Sequence, residues 1–153
     1  MDFDPPTVVD ESKYTYVFSE AVGWTADSLV EHQNATRKCT YGRTIDVVAG
    51  SPNTPFVRAV VAAESTSLVT NMGSAGVGYI NGDLTLALAR IPADGWIGLQ
   101  ADAHWVADGV AVGTATLFDS SGAFGTGLVT AISNPAAQID FANDRFPTRT
   151  TNA

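Results

Sequence analysis

The sequence predicts an α+β fold in which a curled antiparallel sheet wraps one central helix, and three observations carry that expectation. One segment has helical spacing, the later segments alternate with period two, and turn residues separate each element from the next. The chain has 153 residues, 45% of them hydrophobic, which suffices for one domain with its own core.

The elements follow in order. Residues 1–35 form a leader with the short aromatic alternation Tyr14, Tyr16, Phe18 and a modest helical pattern around residues 26–32. Residues 37–48 mix β-branched and aromatic side chains between turn signals and predict a strand. In the loop that follows, Asn53 or Thr54 can cap a helix and Pro55 can occupy its first turn, where a missing amide donor does no harm. Phe56, Val60, Ala63, Ser67 and Leu68 then recur at helical spacing, which predicts a helix over 55–71 with Ala59, Ala62 and Ala63 as a small face for close packing. The glycine-rich run 73–78 reads as a flexible helix-to-strand crossover.

Past the crossover the period changes to two. Leu84, Leu86 and Leu88 alternate with small or polar residues up to Arg90. A second strand runs from 96 to about 107, with Ile97, Leu99, Ala101, Ala103 and Trp105 on one face and His104 on the opposite, solvent-facing side. Asp108-Gly109 is a hairpin signal, 110–118 a third strand, and 124–133 a fourth after the turn 119–122. The main domain is thus residues 36–135, followed by a polar tail, 136–153.

Acidic residues outnumber Lys and Arg 16 to 8, a formal charge of −8. That sign opposes nucleic acid and anionic membrane as general partners. The least charged stretch, 65–82, carries Asn71 and four glycines and is too polar for a membrane span. The lone Cys39 cannot form an internal disulfide, and no secretory leader pattern is present, so the expected compartment is cytoplasmic. Two distant histidines, His32 and His104, and one cysteine have no metal-ligand spacing, and no cofactor or metal is expected.

The segment Asn81-Gly82-Asp83-Leu84-Thr85-Leu86-Ala87-Leu88-Ala89-Arg90-Ile91-Pro92-Ala93-Asp94-Gly95-Trp96-Ile97-Gly98-Leu99, with Leu117-Phe118-Asp119-Ser120-Ser121-Gly122 beyond it, resembles the thioesterase-like hotdog superfamily allied to acyl-CoA thioesterase II. The resemblance spans about 55–135 and implies a single hotdog unit that works as a homodimer. It also implies a catalytic set of a helix carboxylate, a Thr or Asn before the next strand and a Gln on the last strand. Glu64, Asn81 and Thr130 stand at those positions, with threonine where the family has glutamine. A carboxylate can take a proton from an attacking water while the polar partners orient it.

Acyl-CoA or another acyl thioester is the implied substrate, and the candidates for binding it are Arg37, Arg43, Arg58, Arg90, Gly76 and Gly78. Arg90 could instead clamp a corner by pairing with Asp94 or Asp83. The alternative reading is a non-catalytic hotdog that binds an acyl or other apolar ligand or serves as a partner subunit.

Overall fold

Thr54 starts the helix: its hydroxyl accepts from the Val57 amide at 3.3 Å, and Pro55 fills the first turn. The helical segment is split into α1, Pro55–Glu64, and α2, Thr66–Asn71. The break falls at Ser65 in the run Ser65-Thr66-Ser67, whose hydroxyls compete for backbone groups and weaken helix continuity. The computed structural model describes residues 4–7 and 9–143.

Around this helical layer lies an antiparallel sheet, giving an α+β architecture. Its strands are β1 Thr15–Ser19, β2 Gly23–Ala26, β3 Lys38–Arg43, β6 Tyr79–Leu88, β7 Trp96–Ala107, β8 Val110–Asp119 and β9 Gly122–Ser133, in the order β2-β1-β3-β7-β8-β9-β6. The expected Asp108-Gly109 hairpin forms, both residues taking positive φ. The leader adds two strands to the sheet, because Tyr16, Phe18 and their neighbours pair with β3, a long-range pairing that local spacing does not reveal.

The expected first strand is shorter than 37–48. It ends at Arg43, and Asn53 then ties down the following loop by accepting from the Val47 amide and donating to the Ile45 carbonyl. The glycine-rich crossover is ordered as a small hairpin, β4 Met72–Gly73 with β5 Gly76–Val77. The polar tail is not free either: residues 135–143 pack back on the body, through a bridge between Val77 and Ile139.

The helices and the sheet meet across small residues. Ala59 and Ala63 are fully buried against Ile97, Leu99, Ala115, Leu117 and Phe124, with Leu84, Leu86 and Leu88 at the margin. Gly113 and Gly127 leave no room for a β-carbon because Thr70 and Thr66 of α2 rest on them. Each fully buried aliphatic side chain in such a layer contributes on the order of 1.5–3 kcal/mol. A second cluster on the other sheet face stacks Tyr41 between Trp96 and Phe118, at 5.5 and 5.9 Å between ring centroids.

Two bulges change which side chains face the helices. One, at Asp102, interrupts the β7–β8 register between Ala101 and Ala103. Ile97, Leu99 and Ala101 face the helices as expected, but Ala103 and Trp105 turn to the outer face and His104 turns inward, the reverse of strict alternation. The other, at Gly82, lies between Asn81 and Asp83 on β6 and puts Asn81 on the same face as Leu84.

Candidate active site

Glu64 is the last residue of α1, and Asn81 reaches it from the edge strand β6. The Asn81 side-chain amide donates to Glu64 Oε1 at 3.4 Å, and both residues are exposed. This contact depends on the Gly82 bulge, without which Asn81 and Leu84 would lie on opposite faces. The pair sits in an open groove of about 400 Å³ whose other walls include Ser67, Leu68, Val77, Tyr79, Ile139 and Phe141. A carboxylate held by one long hydrogen bond, beside apolar walls, is free to accept a proton.

Thr130 does not join them. Its neighbours Val129 and Ala131 are buried at 1% and 0% exposure and face the helices, so alternation turns Thr130 to the outer face. There its amide donates to Asp83 Oδ1 at 3.2 Å. The residue opposite Asn81 across the β6–β9 ladder is Ala131, whose methyl group offers no hydrogen bond.

The expected cationic ligands are mostly engaged elsewhere. Arg90 makes a two-pronged pair with Asp119 at 2.7 and 2.7 Å, also donates to the Gly122 and Ile91 carbonyls, and lies over the Phe124 ring. Asp119, neither of the two acids expected, is therefore its partner, and the side-chain bond to Arg90 holds the Asp119 carboxyl down at about 2. Arg43 lies over Trp96 and donates to Glu11 and to the Lys13 carbonyl, clasping the leader. Lys38 is 2% exposed and donates to the Asn34 and Thr36 carbonyls. Arg58 bonds the Asn53 carbonyl at 3.1 Å. Arg37 stands 4.0 Å from Glu20.

Arg37, Gly76 and Gly78 do meet, at a cleft of about 620 Å³ beyond the C-terminal end of α2. The space a side chain would need at Gly76 is taken by the Ile139 carbonyl, and a β-carbon at Gly78 would press on the Gln138 side chain at 3.2 Å, so Gly76 above all seats the segment that follows β9. The same cleft holds His104, whose Nε2 lies 3.0 Å from Asn71 Oδ1, while the Asn71 amide donates to Ser67 at 3.1 Å. Burial lowers the His104 pKa below its ordinary value, favouring the neutral ring. Sequence reasoning missed this contact because nothing in the spacing marks the Asp102 bulge.

A third space, about 510 Å³, lies between the helices and β1, β3 and β7, with Val17, Leu29, Ile45, Val61, Ile97 and Leu99 among its walls. Leu68 borders both this apolar cavity and the Glu64 groove. His32 is buried in neither: its ring nitrogens contact Ser19 at 2.9 Å and Thr25 at 2.7 Å, a packing role for the leader. Burial pushes the Cys39 thiol up to about 12, which leaves it protonated and unreactive. Among the described residues no three His, Cys, Asp or Glu side chains gather as a metal site would need. Nor is any helix among them long and apolar enough to cross a membrane.

Residues 4–128 match the model of a family described as the acyl-CoA thioesterase C-terminal domain. The crystal structure of a thioesterase from Haemophilus influenzae is similar over 71% of this chain and 85% of that chain, at 12% identity and a TM-score of 0.48. No curated protein matches the chain.

Proposed function

The chain belongs to the acyl-CoA thioesterase C-terminal domain family, and from that premise we propose that it hydrolyses an acyl thioester, with the attacking water held at the Glu64–Asn81 pair. The observation that carries this reading is the meeting of a helix-end carboxylate with a strand amide in a groove with apolar walls. Glu64 takes the proton of the water as its oxygen bonds to the thioester carbonyl carbon. The carbon–sulfur bond then breaks, and the proton on Glu64 passes to the departing thiolate, leaving a carboxylic acid and a free thiol such as CoA. Asn81 orients the Glu64 carboxylate, and its amide can turn to the developing oxyanion.

We read the architecture as one hotdog unit that acts as a homodimer in the cytoplasm. The support is that, among the described residues, β6 ends the sheet with an unpaired edge and that Glu64 and Asn81 lie exposed at that edge. An unpaired edge of this length is a template for another strand. A second copy along β6 would cover the pair, exclude water from it and strengthen its electrostatics. Thr130 stands outside this set.

One observation favours the second reading, an acyl-binding protein without turnover: Ala131 faces Asn81 where a third polar group would complete the water-holding set. The deciding experiment measures CoA release from short-, medium- and long-chain acyl-CoA by the wild type and by Glu64→Ala. The proposal expects turnover by the wild type and a fall of about 10²–10⁴-fold in the variant. Wild-type protein that releases no CoA from any chain length would leave only the binding role.

A further inference from the structure

The groove around Glu64 and Asn81 is not built by the helix and β6 alone. Two of its walls, Ile139 and Phe141, come from a segment after β9 that crosses the hairpin β4–β5. This strap lies beyond residue 128, where the family match ends, so membership in the family sets no expectation for it.

The strap is fastened at four places. Val77 and Ile139 exchange two backbone hydrogen bonds of 2.9 Å each, an added rung on β5. Gly76 makes room for that rung, since a β-carbon there would strike the Ile139 carbonyl. The Gln138 side-chain amide donates to the Ala75 carbonyl. From the other side Gln33 of the leader grips the strap twice, donating to Asp140 Oδ1 at 2.9 Å and accepting from the Phe141 amide at 2.7 Å. Asp140 also accepts from Asn143 and from the amide of Ala142, and these bonds, led by that of the Asn143 side chain, hold its carboxyl below the ordinary range.

This anchoring places two apolar side chains beside an acid–amide pair. Ile139 remains 40% exposed despite its backbone bonds, so the backbone is fixed while the side chain stays available. Apolar surface next to a hydrolytic carboxylate is what the hydrocarbon of a long acyl chain requires, and it is of little use to a short one. We propose that the strap forms the acyl-chain wall of the groove, with Ile139 and Phe141 as the residues that set preference for long-chain acyl thioesters. This inference rests on the hydrolase reading for its substrate class, though its test does not depend on turnover.

The probes are S-dodecyl-CoA and S-butyl-CoA, thioethers that cannot be hydrolysed, titrated calorimetrically into the wild type, Phe141→Ala, Ile139→Ala and Gln33→Ala. Gln33→Ala removes the leader's two hydrogen bonds to the strap without altering the groove's side chains, and melting curves verify that each variant is folded. The expected result is binding of S-dodecyl-CoA to the wild type and an affinity about ten-fold weaker in each variant, the scale of a few buried methylenes, with S-butyl-CoA changed less than about two-fold. Equal or tighter S-dodecyl-CoA binding by the strap variants would overturn the inference, and tighter binding would mark the strap as a plug. Failure of the wild type to bind S-dodecyl-CoA would also overturn it. Binding that depends on the strap without any CoA release from acyl-CoA would sink the hydrolase reading and leave the strap's role standing.

Discussion

Two carboxylates of this molecule, Asp119 and Glu64, are treated in opposite ways. Asp119 ends β8 with its side chain wholly buried, paired twice to Arg90 and accepting from the amides of Ala93 and Ser121. Glu64 is exposed and, among the described residues, has one side-chain partner, the Asn81 amide at 3.4 Å. The contrast teaches how to separate structural from chemical charge. A carboxylate whose lone pairs are all committed has no capacity to accept a proton from a substrate, whereas one with a single long bond has that capacity and contributes little to folding.

The largest expected effect breaks the closed member of the comparison. Asp119→Ala leaves Arg90 without its carboxylate partner and two amides without an acceptor. A loss of about 3 kcal/mol, the low end for breaking a buried pair, is expected because Arg90 is a third exposed and keeps its carbonyl partners. Thermal unfolding should show a midpoint lower by roughly 10 °C for a chain of this size. The same carboxyl gives the wild type an acid limb. Its folded value, about 2, lies below the ordinary 3.8 of a free aspartate, so its stabilisation is present above that unfolded value and is lost as pH falls toward the folded one. A midpoint that stays level between pH 4 and 2 would contradict the corner's role.

An intermediate effect concerns the leader. Burial, more than any neighbouring charge, lowers the pKa of His32 from 6.5. Above that value the ring is neutral in both states and contributes no pH dependence. Below it the unfolded chain takes up a proton that the folded ring resists, so stability falls as pH drops. Melting temperatures should decrease from pH 7.5 to 5.5, and a rise over that interval would refute the neutral, buried ring.

The smallest effect is at Thr130. Its side chain lies on the face away from Glu64, so Thr130→Ala should change stability by less than about 0.5 kcal/mol and leave acyl-CoA turnover within about two-fold of the wild type. A larger loss of turnover would return Thr130 to the catalytic set and put the β9 face assignment in doubt.

These contrasts also mark what the sequence could and could not reveal. The helix over 55–71 and the four later strands were legible because apolar spacing encodes which face is buried. The meeting of Glu64 with Asn81 was legible only through family resemblance, and it depends on a bulge at Gly82 that spacing does not encode. A bulge adds one residue and reverses every later side chain, which is why Trp105 and His104 exchange their expected faces after Asp102. Partners distant in sequence were the other gap. Arg90 invited pairing with nearby acids, yet the chain returns Asp119 to it 29 residues later. The leader and the strap have their roles through such returns, β1 on β3 and Gln33 on Asp140 and Phe141.

The most direct test of the contrast measures two quantities on two variants, melting temperature and CoA release for Glu64→Ala and Asp119→Ala. Glu64→Ala is expected to melt with the wild type, within about 0.5 kcal/mol as for a surface substitution, and to have lost its turnover. Asp119→Ala is expected to melt early and still to turn over acyl-CoA below its midpoint. A Glu64→Ala variant that keeps full turnover would contradict the central claim, whatever its stability.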